Sequence, residues 1–202
     1  MKKITILVCA ITMAAFSSQQ VKAQAFEEGN MVFSIGYGFP NLVGAIFNAY
    51  ETFDGYNSSS LGPIFIKGEY AVNDHIGVGL AIGYSSTTVE WNYDDFDAQG
   101  DPVVYTSSWK YSSLGILARV NWHFGDSDVF DPYFGVGMGY RTGNYTFDST
   151  DPDALEDQLS TLVPFGFETT VGARYFFTDN IGAYAELGFA KAPFQIGLAI
   201  KI

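Results

Sequence analysis

Cysteine, histidine and basic residues are scarce in this chain of 202 residues. Cys9 has no second cysteine to pair with, so an intrachain disulfide is excluded. Only 10 Lys and Arg stand against 22 Asp and Glu, a formal charge of −12. Nucleic-acid binding needs clustered Lys and Arg, and that footprint is missing. Beyond the first residues no apolar run is long enough for a transmembrane helix. Two histidines, His75 and His123, leave little material for general-base chemistry. The chain is rich instead in 22 Gly, 18 Phe and 13 Tyr, too apolar and aromatic to be disordered. Its length suits one domain with one core.

The N-terminus reads as a targeting segment. Lys2 and Lys3 supply positive charge, Ile4 to Phe16 is an apolar run too short to span a bilayer, and Ala23-Gln24-Ala25 has the small-residue pattern of a cleavage site. We place the signal peptide at 1–25, with a cut after Ala23 as the nearby alternative, and a single domain at 26–202. Val8 stands where lipid attachment at Cys9 would want a small residue, so the exported chain is read as thiol-free. Removing 1–25 takes away Lys2, Lys3 and Lys22 and no acid, which lowers the charge from −12 to −15.

From there, apolar residues alternate with small or polar ones about eight times. Phe194, Ile196, Leu198, Ile200 and Ile202 share one face; Gln195, Gly197, Ala199 and Lys201 share the other. Ile76, Val78, Leu80, Ile82 and Tyr84 alternate with Gly77, Gly79, Ala81, Gly83 and Ser85 in the same way. Strands are predicted at 29–38, 61–72, 75–88, 108–124, 131–143, 162–177, 180–190 and 193–202. Long polar connections at 39–60, 89–107 and 144–161 alternate with tight turns at 73–74, 125–130 and 178–180. This layout predicts an all-β, eight-stranded antiparallel up-and-down transmembrane barrel with both termini periplasmic.

Alternation alone does not say which face is inside. The non-apolar face is dominated by Gly, Ala and Ser, which suits a narrow lumen. Aromatics gather at strand ends with the apolar parity. Tyr37, Tyr84, Tyr140 and Phe189 fall on the loop side; Tyr70, Trp122, Phe124, Tyr175 and Phe177 fall on the turn side, as two interfacial girdles require. Leu80, Ile116, Val136, Val171 and Leu198 then face lipid. The inward parity collects Lys67, Glu69, Arg119, Arg141, Glu168, Arg174, Glu186 and Lys201. Opposite charges inside a low-dielectric wall are expected to pair and plug the lumen. Arg141 and Glu168 are expected to pair with each other, and Lys67, Glu69, Arg119, Arg174 and Glu186 to form a lower network.

Ala173-Arg174-Tyr175-Phe176-Phe177-Thr178-Asp179-Asn180-Ile181-Gly182 and the terminal stretch from Gln195 to Ile202 resemble the small OmpX/OmpA-type barrels. The likeness is greatest to the outer-membrane β-barrel domain common in Bacteroidetes. Gln195, Gly197, Ile200 and Ile202 match that family's C-terminal assembly signal, with Ile202 where Phe is usual. The resemblance implies recognition by the barrel-assembly machinery and an address in the bacterial outer membrane.

Candidate chemistry is sparse. Outer-membrane lipid A-modifying enzymes of this size need a nucleophile or base near the outer leaflet. His75 and His123 lie at the periplasmic end, so no catalytic residue and no cofactor is assigned. The acidic connections hold Glu90, Asp94, Asp95, Asp97 and Asp101, then Asp148, Asp151, Asp153, Glu156 and Asp157. Asp95 to Gly100 resembles half a calcium loop, but the twelfth position falls on Thr106, so no metal site is assigned. After Pro40, Leu42, Val43, Ile46, Phe47 and Tyr50 share a helical face that would cap the barrel mouth, lie on lipid or meet a partner. Asp151-Pro152 predicts a short helix. The expected role is non-enzymatic: structural or surface-interacting, with outer-membrane lipid, lipopolysaccharide and a surface partner of the acidic loops as contacts. The alternative is a narrow channel for small or hydrophobic solutes.

Overall fold

A computed structural model describes residues 24–48, 55–97, 99–154 and 157–202. Nine strands and one short helix follow in order: β1 (Met31–Phe39), α1 (Leu42–Asn48), β2 (Tyr56–Asn73), β3 (Ile76–Phe96), β4 (Pro102–His123), β5 (Phe130–Ser149), β6 (Asp157–Ser160), β7 (Phe165–Phe176), β8 (Ile181–Phe189) and β9 (Phe194–Lys201). All pairings are antiparallel and join chain neighbours except that β5 pairs with both β6 and β7, and β9 returns to pair with β1 from Val32↔Lys201 to Phe39↔Phe194. The pairing of β4 with β5 completes the ring. β6 and β7 both line β5, β6 at its outer end and β7 below, so together they make one interrupted wall strand. The barrel is therefore eight-stranded. Closure leaves no unpaired edge, which hydrocarbon would not tolerate.

The burial order is that of a membrane barrel. Leu80 is 56% exposed and Leu198 57%, while Glu186 is 2% exposed and Arg119 4%. A water-soluble barrel would show the reverse. Ile116 and Val171 also point outward, Val136 is half-buried, and every aromatic of the two expected girdles is exposed.

Strand length corrects the expected connections. A tilted strand crosses a bilayer in about 9–11 residues. β1 and β8 have 9 residues and β9 has 8, but β3 has 21 and β4 has 22. Most of 89–107 is thus strand rather than loop, with its turn at 97–101, and β5 runs on to Ser149. The reason is physical. Outside the bilayer neither face must be apolar, so alternation fades, while Thr, Tyr and Val still favour extended pairing. β2 also starts earlier than expected, on the outer side of a bulge between Leu61 and Ile64. Gly62 there has φ +79, which a side chain would strain, and Pro63 takes a position where a ladder donor is dispensable.

α1 forms where the apolar face predicts it, capped by Asn41, whose Oδ1 accepts from Gly44 N at 3.2 Å. Its packing face is narrower than expected. Gly44 sits against Ser60, and Phe47 meets Trp109 with ring centres 4.8 Å apart, while Leu42 and Ile46 remain exposed. Tyr50 lies outside the described residues. The helix expected after Asp151 is a turn in its described part: Asp151 Oδ1 accepts from Asp153 N at 2.9 Å, and Oδ2 accepts from the Tyr93 hydroxyl at 2.7 Å. Residues 155–156 lie outside the described residues.

Candidate functional site: the charged lumen

The inward face of eight strands brings charges from opposite walls within reach. Glu186 on β8 is the hub. Its Oε2 accepts from Lys67 Nζ of β2 at 2.7 Å and from Arg119 Nη1 of β4 at 3.2 Å. Its Oε1 accepts from Arg119 Nη2 at 3.2 Å and from the Tyr133 hydroxyl of β5 at 2.8 Å. Arg119 also pairs with Glu168 of β7 at 2.9 Å and donates to Thr170 Oγ1 at 3.0 Å and Asn121 Oδ1 at 3.2 Å. Lys67 donates to Gln195 Oε1 at 2.8 Å and lies 4.8 Å from the Tyr184 ring centre.

Below the hub is a closed ring of four side chains. Glu69 of β2 bonds His123 Nε2 at 2.8 Å, His123 Nδ1 bonds Asp131 of β5 at 2.6 Å, and Asp131 accepts from Arg174 Nη1 at 3.1 Å. Arg174 Nη2 returns to Glu69. Each imidazole nitrogen thus faces a carboxylate oxygen, which only the doubly protonated ring satisfies as donor on both sides. With His123 counted as a cation, Lys67, Arg119, Arg174 and His123 balance Glu69, Asp131, Glu168 and Glu186. All eight are buried.

Small residues on the inward face make this possible. A Cβ on Gly137 would come within 2.9 Å of Glu168 Cγ and 3.1 Å of Arg119 Cγ. A Cβ on Gly172 would come within 2.7 Å of Glu186 Cγ and of the Tyr133 ring.

The residues before β1 lie against the periplasmic end of the network. Phe26 stacks on His123 with centroids 3.4 Å apart and planes 5° apart. Ala25 is buried and donates to Ser127 O at 2.9 Å. Lys201 Nζ donates to Gln24 O at 2.9 Å and sits over Phe176.

Lys67, Glu69, Arg119, Glu168, Arg174 and Glu186 are therefore brought together, and two expected members are not. Arg141 does not pair with Glu168. Gly137 lies opposite Glu168 and Gly139 opposite Gly166, so Glu168 sits two inward positions below Arg141 and reaches Arg119 instead. The β5–β7 register runs unbroken from Phe130↔Tyr175 to Tyr140↔Phe165, so it is the stagger of the two strands, not the distance of each residue from its turn, that sets their heights. Lys201 meets the N-terminal segment rather than the network. Sequence reasoning missed His123, Asp131 and Tyr133. The parity that carries Arg119 inward carries Asn121 and His123 with it, and Asp131 and Tyr133 share the parity of Arg141.

Of the terminal stretch, Gln195, Ala199 and Lys201 face the lumen, while Ile196, Leu198 and Ile200 face outward at the β1–β9 seam. Ile202 N and O exchange backbone bonds with Met31 at 2.8 and 2.9 Å. In the outer turn, Asp97 Oδ1 accepts from Gln99 N and Asp101 N, and Thr106 lies in β4, bonded to Asn92 and Thr150. Among the described residues no group of three His, Cys, Asp or Glu is placed to hold a metal ion. His75 is exposed in the β2–β3 turn, far in sequence and height from the outer Ser and Thr.

A family model described as "Outer membrane protein beta-barrel domain" matches residues 7–193. The chain is 27% identical over 149 residues to Outer membrane protein W of Vibrio cholerae, covering 67% of each. Among solved structures, Ail, the attachment invasion locus protein of Yersinia pestis, is 14% identical with a TM-score of 0.45, over 87% of this chain and 99% of that one. OprG of Pseudomonas aeruginosa is 12% identical with a TM-score of 0.45, over 91% and 99%.

Proposed function

This chain belongs to the outer membrane protein beta-barrel domain family, and from that membership we propose that it serves the bacterial outer membrane as a non-enzymatic barrel whose lumen is plugged by charge and whose outer strands meet partners. One observation carries the reading: ion pairs run across the barrel rather than along one wall. Glu186 on β8 ties Lys67 on β2 and Arg119 on β4. An interior of eight strands can be filled by side chains, and here those side chains are held in place by paired charges. The long β3–β4 hairpin, with its acidic turn, is the surface offered to lipopolysaccharide through divalent ions or to a protein partner. The terminal strand, with Gln195, Gly197, Ile200 and Ile202, is the segment offered to the assembly machinery, and both termini lie on the periplasmic side.

A second reading is a narrow channel for small or hydrophobic solutes. It is favoured by the aromatic vestibule above the network, where Phe47, Trp109, Tyr111 and Tyr145 pack together. Swelling of vesicles carrying the purified barrel separates the two. The plugged barrel gives the rate of protein-free vesicles for small sugars and for aromatic solutes alike; accelerated entry of either class supports the channel.

Burial of Ala25 and the stacking of Phe26 bear on processing. A cut after Ala25 would remove two residues of this periplasmic segment, so we place the cut after Ala23. The intact mass of protein purified from outer membranes is expected to match a chain starting at Gln24, as glutamine or its cyclised form. A mass matching a start at Phe26 would contradict this.

A further inference from the structure

The network described above is balanced within itself and, among the described residues, leaves three cations inside the barrel: Lys201, which meets the N-terminal segment, and two in the outer half. Arg141 on β5 and Lys191 in the β8–β9 turn line one small cavity with Phe65, Gly83, Gly115 and Glu168. Gly83 and Gly115 are direct cross-strand partners. A Cβ on Gly83 would lie 3.6 Å from Lys191 Cδ, and one on Gly115 would lie 3.6 Å from Arg141 Nε. The two cationic side chains therefore lie over adjacent points of the wall. Neither is ion-paired among the described residues, in a chain with more than twice as many acids as bases. Glu168, the carboxylate on this cavity, is ion-paired with Arg119 at 2.9 Å through Oε1, although that oxygen accepts no hydrogen bond.

The donors left over point to a guest. Lys191 Nζ donates to Ser113 O at 2.9 Å and Ser113 Oγ at 2.6 Å, which leaves one of its three hydrogens. Arg141 Nε is buried without an acceptor. Leaving a charged donor buried and unmet is costly. The cavity holds about 10 Å³, room for one water-sized guest. It lies in the outer half of the lumen, beside the β8–β9 turn.

We propose that Arg141 and Lys191 bind a halide-sized inorganic anion, chloride under ordinary conditions, in the outer half of the lumen. The anion does for this tier what the carboxylates do for the tiers below, giving each cation a counter-charge where no side chain supplies one. The proposal does not rest on the closed-lumen reading, because binding is measured without a gradient or a current.

Bromide is the probe. Crystals of the full exported chain in bromide are expected to show an anomalous scatterer contacting Arg141 Nε and Lys191 Nζ. In detergent solution, bromide line broadening in NMR is expected to be reversed by chloride and not by sulfate. Affinity is expected to fall about tenfold or more in Arg141→Gln and in Lys191→Gln, the loss of one charged donor. Wild-type protein without a bromide site would overturn the proposal even if a variant failed to fold. So would a site that persists in both variants, an adventitious ion only, or sulfate competing as well as chloride.

Discussion

Replacing Glu186 by alanine is expected to destabilise the folded barrel by about 3–5 kcal/mol, the scale for breaking a buried ion pair from one side. Glu186 accepts from three groups, Lys67, Arg119 and the Tyr133 hydroxyl, and is 2% exposed. Its removal leaves Lys67 with Gln195 as its remaining hydrogen-bond partner among the described residues. Arg119 keeps Glu168. Glu168→Ala is expected to have the smaller effect, since Glu168 serves Arg119 alone, which keeps both oxygens of Glu186. Glu186→Gln should fall between, because the amide still accepts one bond but carries no charge. Urea unfolding in lipid vesicles, followed by tryptophan fluorescence, measures all three. Equal stabilities for wild type and Glu186→Ala would mean that the network does not hold the barrel together.

Leu80→Arg is expected to cost about 2–4 kcal/mol, the range for a cation at the bilayer midplane, with less nearer the interfaces. Leu80 lies opposite Gly68 on β2 and Ala118 on β4, points outward, and sits between the girdles of the β2–β3 pair, two residues from the level of Tyr70 and four from Tyr84. Glu90→Arg on the same strand is the control. Glu90 is beyond the outer girdle, paired with Asn57 and Ser108, and exposed. Its replacement is expected to change stability by no more than about 1 kcal/mol. If both variants unfold at the wild-type urea concentration, Leu80 does not face hydrocarbon and the inside-outside parity is wrong.

How much of this was legible in the sequence depended on which solvent each residue meets. Inside the bilayer, lipid demands an apolar side chain at every second position, so Ile76 to Tyr84 and Phe194 to Ile202 announce both strand and facing. Above Tyr84 that demand ends. Val89 to Phe96 read as loop, although their backbone pairs in register with β4 as far as Phe96↔Pro102. Charged lumen residues were legible by parity alone, since a Lys67 or Arg119 inside a membrane strand has nowhere else to point. Their partners were not, because pairing depends on height around a closed ring. The stagger of β7 on β5, with Gly137 opposite Glu168, sets Glu168 below Arg141. His123 was hidden for a different reason. Its position near a turn gave it an interfacial or structural reading, and its burial depends on the N-terminal segment, whose Phe26 stacks on it.

The central claim is that side chains tied across the ring keep the lumen shut. Recording from wild-type barrels inserted in planar bilayers tests it most directly, with insertion verified by protease protection of the same preparation. The account predicts a flat baseline with no steady conducting state; reproducible, steady conductance through the wild-type barrel would contradict it.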